Sequence, residues 1–277
     1  MAVNYAQKYS DKVDERFIQA SLTQNAFNSD YDWDGVATVN VYSVGTAPLN
    51  DYAMSGSNRF GTADELGTSL QAMTLSQDKA FTFTIDRRNY EDSMMVLEAD
   101  RALRRQVDEI MIPAVDKYRI SKLVAGAGTL GTGAPIDPTN AYDAFLDGVT
   151  TILNNKAPLA GTFALIGSNY FKSIRLDKSF IQASDLAQNM LIYGQVGAIE
   201  NIPLIFVPTG YLPTDIEFVV TNRIAACSPV KLAEYKTHDN PPGINGWLVE
   251  GRVYYDAFVL NNKKDAIYAR KAVIPPP

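Results

Sequence analysis

VATVNVYSV, residues 36–44, and AFTFTID, residues 80–86, bracket the stretch on which the fold turns. In the first, Ala37, Val39 and Val41 alternate with Thr38, Asn40 and Tyr42. In the second, Phe81, Phe83 and Ile85 alternate with Thr82 and Thr84. Apolar residues at every second position mark strands with one wet face. Between the two lies TAPLNDYAMSGSNRFGTADELGTSLQAMTLSQDK, residues 46–79, interrupted by Gly56, Gly61 and Gly67 and poor in core-forming side chains. A structureless loop of that length is uncommon inside a compact domain. An extended hairpin reaching away from the body accounts for it better. Such an arm cannot bury its surface within its own chain, so it implies a partner. Arg59 and Phe60, near its tip, are the candidate contact residues, because an Arg beside an aromatic suits an interface core.

Upstream, SDYDWDG, residues 29–35, places Asp30, Asp32 and Asp34 at alternate positions before Gly35, like the opening of an EF-hand loop. That loop needs a bidentate Glu at its twelfth position and a helix on each side. The twelfth position is Val41, and the following residues read as a strand. An acidic turn leading into a strand is the simpler reading. The rest of residues 1–35 mixes polar groups with scattered Tyr5, Tyr9, Phe17, Ile18, Leu22 and Phe27, the pattern of an arm rather than a core element.

Downstream, residues 91–125 carry the longest helical periodicity. Leu103, Val107, Ile110, Met111, Val115 and Tyr118 recur at helical spacing, with Asp92 or Ser93 as the cap. A helix of that length spans about 50 Å. Pro113 lies inside it, so a kink or a break after Ile112 is expected. The helix runs into GAGTLGTGAP, where Gly126, Gly128 and Gly131 spell G-x-G-x-x-G with Asp147 about 20 residues on. A dinucleotide site needs those glycines after a strand and before a helix. Here the order is inverted, and a helix end running into a flexible connector is expected.

Beyond the connector the pattern is mixed. Residues 140–156 read as a helix capped by Asn140, and 168–176 and 185–194 as short helices. Residues 162–167, 201–208 and 216–227 read as strands, and 246–270 as two strands around a turn at Asn261 and Asn262. The terminal AVIPPP is a stiff polyproline tail. No internal repeat is apparent.

The chain has 277 residues, 46% hydrophobic and 20% charged, which is globular composition. No apolar run reaches the ~18 residues of a membrane helix, and no signal peptide is visible at the N-terminus. A net charge of −6 falls entirely in residues 1–138, which hold 13 Lys and Arg against 19 Asp and Glu. No basic face for gripping phosphates is evident. One Cys and one His exclude zinc sites built on those ligands and any intrachain disulfide. Cys227 follows an apolar run and reads as a small core residue. His238 lies in KTHDNPPGING, a turn-rich segment where a histidine is solvated. There is no G-x-S-x-G elbow and no P-loop. The adjacent carboxylates Asp108 and Glu109, and Asp64 and Glu65, read as solvated surface. No catalytic, cofactor or metal residue is assigned, and an enzyme is not expected.

The order of elements resembles that of tailed-phage major capsid proteins with the Hong Kong 97 fold, an α+β architecture. The wording of MAVNYAQKYSDKVDERF (1–17), GVATVNVYSVGTAPLNDY (35–52), MTLSQDKAFTFTID (73–86) and VDEIMIPAVDKYR (107–119) is similar to phage and prophage capsid proteins of Gram-positive hosts. The resemblance covers most of the chain and is strongest over 1–125. It implies an N-terminal arm at 1–35, an extended E-loop hairpin at 36–86, and a peripheral domain with the spine helix at 87–138. It further implies a mixed α/β axial domain at 139–245, and strands returning to the peripheral domain at 246–277. It also implies self-assembly as hexamers and pentamers into an icosahedral shell around double-stranded DNA, without sequence-specific binding, in the host cytoplasm. Portal and head-decoration proteins would be further partners, and a membrane would not.

Two departures limit the transfer. Some members lock the shell by a Lys–Asn isopeptide bond from the E-loop, but Lys79 is the only lysine in 36–86 and sits near its base. No covalent cross-link is expected. Some members carry a scaffolding domain of about a hundred residues at the N-terminus. About 35 residues precede the E-loop here, so a separate scaffolding protein is expected. The alternatives are an encapsulin-like nanocompartment shell, which shares the fold, a nucleotide-binding enzyme resting on the inverted glycine motif, and a calcium module.

Overall fold

The computed structural model of the chain describes residues 21–24, 26–28, 30, 31, 33, 38–63, 65–92, 99–178 and 197–272. Most of the expected N-terminal arm, the Asp32, Asp34 and Gly35 turn, the cap at Ser93, the expected helix at 185–194 and the proline tail lie outside those residues.

The body is a six-stranded mixed sheet. In spatial order it runs β4 (Thr129–Gly131), β13 (Ile267–Lys271), β8 (Ile216–Asn222), β5 (Thr162–Ile166), β7 (Ile202–Phe206) and β6 (Ala198–Ile199). The pairs β5–β7 and β4–β13 are parallel, and the others antiparallel. Every residue of β5 is buried, as a strand covered on both faces requires. Its alternation sorts the two faces. Ala164 and Ile166 point with Phe218, Val220 and Tyr268 toward helices α4 (Ala141–Asn154) and α5 (Ser168–Leu176). Phe163 and Leu165 point with Val219, Ile267 and Ala269 toward Ile120 and Leu123 of α3 (Ile112–Ala125) and toward Ala26 and Phe27. Helix α4 buries Ala141, Ala144, Phe145, Gly148, Val149 and Ile152, one helical stripe.

A second sheet has the order β10 (Val230–Asp239), β11 (Gly246–Tyr255), β3 (Gln77–Asp86), all antiparallel. The third element is a ribbon of two strands, β1 (Thr38–Val44) and β2 (Thr68–Thr74). A small pair of β9 (Ala226–Cys227) and β12 (Phe258–Val259) ties the parts together.

Several sequence expectations are corrected here. Of the two strands read at 36–44 and 80–86, the described residues form strands over Thr38–Val44 and Gln77–Asp86, but these do not pair with each other. β1 pairs with β2, inside the segment read as polar, and β3 pairs with β11. TSLQAMT buries only Met73 fully, so its hydrophobic signal is too weak to stand out. KTHDNPPGING is not all turn: residues up to Asp239 complete β10, and its pairing partner is β11 rather than the six-stranded sheet. The last strand, β13, enters the six-stranded sheet, and Asn261–Ala266 form a 3-10 helix instead of a tight turn.

The long helix continues through the position before Pro113. Residues 99–106 form α2, preceded by the short α1 (Arg87–Asp92), and 107–111 form one π turn that feeds α3. Proline lacks the N–H that would bond the carbonyl four residues back. The wider turn absorbs that loss, with the Ile112 N–H donating to the Val107 carbonyl. Asn140 stands at the N-cap of α4 and its carbonyl accepts from the Ala144 N–H, but its side chain makes no cap bond. Its Oδ1 accepts from the Asp137 N–H and its Nδ2 donates to the Pro135 carbonyl, while the Tyr142 N–H donates to Asp177 Oδ2 at 2.9 Å.

The glycine-rich run is no flexible connector. It forms β4 at the edge of the main sheet. A Cβ at Gly126 would lie 2.6 Å from Val259, one at Gly128 2.5 Å from Asp265, and one at Gly131 1.9 Å from the Tyr268 hydroxyl. These glycines serve close packing against the 259–268 segment rather than a phosphate.

Candidate assembly surfaces

Two ends of the β1–β2 ribbon differ in what they touch. At the base, Val39, Val41 and Met73 pack with Trp33, Leu75, Cys227 and Leu260. Trp33 stacks on Phe258 with centroids 5.4 Å apart. Polar bonds fasten the same end. Gln71 donates from Nε2 to the Val259 carbonyl at 2.8 Å and accepts at Oε1 from the Asn261 N–H at 2.9 Å. Asp256, 2% exposed, accepts from the Ser76 N–H at 2.8 Å and from the Tyr118 hydroxyl at 2.7 Å. The Tyr254 hydroxyl donates to the Leu75 carbonyl. One buried carboxylate thus joins the hairpin root, α3 and β11.

Beyond the base the ribbon is exposed. Tyr42 and Leu70 stand opposite each other on its outer face, and Val44 follows. In the tip, residues 45–67, Leu49, Tyr52, Met54, Phe60 and Leu66 are exposed, Leu49 completely and Phe60 to 83%. The tip holds its shape by its own bonds. The Gly45 N–H donates to the Gly67 carbonyl and the Ala53 N–H to the Arg59 carbonyl. Arg59 Nε donates to the Gly56 carbonyl, and Tyr52 and Phe60 meet edge to face at 5.1 Å. Gly61 has φ +85, where a side chain would also strike Asn50. Soluble monomers rarely leave apolar patches of this extent uncovered. Arg59 and Phe60 both stand exposed at this tip.

A second surface is the groove, about 380 Å³, between the helix and the three-stranded sheet, lined by Phe81, Ile110, Met111, Val115, Tyr118 and Val253. Lys79 lines it too, on β3 and away from the tip. On the opposite, wet face of that sheet the charges pair: across strands Arg252 with Asp78 at 2.6 Å and His238 Nε2 with Glu250 at 3.4 Å, and along β10 Lys236 with Glu234 at 3.4 Å. The Arg252 guanidinium, bonded in a fork, lowers the pKa of Asp78.

The residues tested for chemistry are accounted for structurally. His238 is a strand residue with a carboxylate neighbour. Glu109 pairs with Arg105 at 3.1 Å, and Asp147 is exposed on α4. Among the described residues no group of three His, Cys, Asp or Glu side chains is placed to hold a metal. Cys227 is buried, and burial pushes its thiol up to about 12. The buried carboxylate Asp116 accepts from the Leu22 N–H and the Ser21 and Thr23 hydroxyls, which ties residues 21–23 to α3. Beside it Arg119 donates from Nε to Ser228. Burial lowers the Arg119 pKa, opposed by the Asp116 charge. Sequence reading missed Gln71, Asp116 and Asp256. Each is an ordinary polar residue whose partners lie far away in the chain.

No protein-family model and no curated protein matches the chain. Solved structures do. A chain from Mycobacterium phage Che8 superposes with a TM-score of 0.77 at 17% identity, over 96% of each chain. The mature capsid of bacteriophage PhiM1 contains a chain with a TM-score of 0.76 at 10% identity, covering 98% of this chain and 93% of that one. The capsid of an empty GTA particle gives 0.68 at 15% identity, over 98% and 96%. The chain has a phage-capsid fold. The resemblance to capsid proteins is borne out at that level, a mixed helix-and-sheet capsid fold.

Proposed function

We propose that this protein is the major structural subunit of a tailed-phage-type capsid, built on the Hong Kong 97 plan, and not an enzyme. The observation that carries the reading is the hairpin. It is rooted by partly buried bonds at 71–76 and ends in an uncovered apolar tip, on a chain that matches capsid chains over nearly its whole length. A monomeric protein gains nothing from such an arm, whereas repeated weak contacts between copies give an avid shell.

In this reading 38–74 is the E-loop proper, the helix 99–125 is the spine, and β3, β10 and β11 form the sheet of the peripheral domain. The six-stranded sheet with α4 and α5 is the axial domain. The division follows the strand pairings, so β3 and β10 leave the E-loop and axial segments expected from the sequence order. Copies form hexamers and pentamers that close into an icosahedral virion shell around double-stranded DNA, assembled in the host bacterial cytoplasm. A separate scaffolding protein, a portal and head-decoration proteins are the partners. With Lys79 on β3, the shell is held without a covalent E-loop cross-link.

Negative-stain electron microscopy with light scattering on the expressed protein, alone and with a candidate scaffold, tests this. Hollow shells or six- and five-membered rings are expected. A clean monomer under every condition would remove the reading.

A further inference from the structure

Strand β10 forms one edge of the three-stranded sheet. Among the described residues it pairs with β11 on one side only. The strand is ten residues long, and all of it that is described from Lys231 to Asp239 is exposed. An open edge of that length is a row of unpaired backbone donors and acceptors, ready to accept another strand.

Its charges show which strand fits. Glu234 and Lys236 are placed so that an antiparallel copy of the same segment, centred on Tyr235, is complementary: Glu234 faces Lys236 of the other copy and Tyr235 faces itself. Both copies run paired from Leu232 to His238, beyond the register shift between Val230 and Leu232. Shifting the centre by one residue either way sets Glu234 against Glu234 or Lys236 against Lys236. Opposite charges across a strand pair stabilise it and like charges directly opposed destabilise it, so the sequence selects one register. In the single chain Glu234 already pairs with Lys236 at 3.4 Å on exposed surface. These charges remain available to a second copy.

We infer that β10 is a self-recognition edge: two copies of the chain join their three-stranded sheets into one six-stranded sheet about a two-fold axis at Tyr235. Such a contact is isologous, the same patch used by both copies. It differs in kind from the hairpin contact and supplies the symmetric joint between neighbouring groups of subunits. It presupposes that copies of the chain assemble, as proposed above.

Cysteine cross-linking of the full chain decides it, since Cys227 is buried. Directly opposed residues have Cα atoms about 4.5–5.5 Å apart, within the roughly 4.4–6.8 Å that a disulfide spans. Y235C is therefore expected to give mostly covalent dimers on non-reducing gels after mild oxidation of assembled protein. A233C alone should stay monomeric, because residue 233 would face Thr237 and lie about 14 Å along the strand from its own symmetry mate. A233C/T237C, which keeps Tyr235 and its contact with Met111, should cross-link again. Shells that form with Y235C and A233C/T237C both monomeric would overturn the strand pairing and leave the capsid reading intact. Cross-linking of A233C alone would overturn the register. If no shells form under any condition the capsid reading fails, and absence of the covalent dimers in concentrated soluble protein then overturns the strand pairing as well.

Discussion

The six-stranded sheet and the β1–β2 hairpin belong to one chain and obey opposite rules. In the sheet, Phe218, Val219 and Val220 are all fully buried, neighbours pointing to alternate faces and both faces covered. In the hairpin, the outer face and tip hold Tyr42, Leu49, Met54 and Phe60 in the open. The sheet covers its apolar surface within the chain, and the hairpin leaves its own in the open. In the assembly proposed above, stability and self-association are therefore written in different residues.

The sharpest way to break this comparison is to remove the hairpin tip. Replacing residues 46–66 by a short Gly-Ser linker is expected to abolish shell formation by electron microscopy. The thermal midpoint should move by no more than about 3 °C, because the tip's bonds are its own. A large loss of stability would show that the tip supports the body after all. Next in size is Phe218→Ala, which empties the space between Phe145, Tyr170 and Tyr268. It should cost about 3–5 kcal/mol in urea unfolding.

The root of the hairpin lies between the two regimes. Asp256→Ala leaves the Ser76 N–H and the Tyr118 hydroxyl without their acceptor. A loss of about 2–3 kcal/mol is expected, with faster amide exchange at Ser76. Unchanged exchange there would refute the clamp. At the tip, Phe60→Ala should alter folding stability by less than about 0.5 kcal/mol while lowering shell yield, and an unaltered yield would remove Phe60 from the contact.

The smallest effect concerns Cys227. Its thiol is pushed up to about 12 by burial first and by the Asp30 charge next. A group raised in the folded state adds stability below its unfolded pKa, and that stability fades as pH climbs toward the folded value. Native protein at pH 8 should resist a thiol reagent that labels the urea-unfolded chain at once. The alkaline fall in stability, from about pH 9 upward, should be shallower in Cys227→Ala.

Much of this was legible in the sequence. The period-two runs at 36–44 and 80–86, the helical stripe before and after Pro113, the buried strand TFALI and the exposed arm with Arg59 and Phe60 are local patterns, and local patterns report backbone periodicity. The glycines of the inverted motif pack against the 259–268 segment, a role that no local pattern announces. By itself, then, the sequence determined the strands and helices with a strong apolar period and the polar, weakly apolar character of the arm, while β2, β4 and most of β10 escaped it.

Only the tertiary structure decided who pairs with whom. β3 joins β11 and not β1, the consecutive strands β10 and β11 form their own sheet with it instead of extending the main one, and β13 enters the main sheet between β4 and β8. Strand partners are chosen by which apolar faces meet across long separations, and period-two alternation is the same whichever partner is taken. The buried Asp116 and Asp256 were invisible for a related reason. A carboxylate becomes structural only when distant donors such as the Leu22 and Ser76 N–H groups and the Tyr118 hydroxyl converge on it, and no window of sequence contains both ends of those bonds.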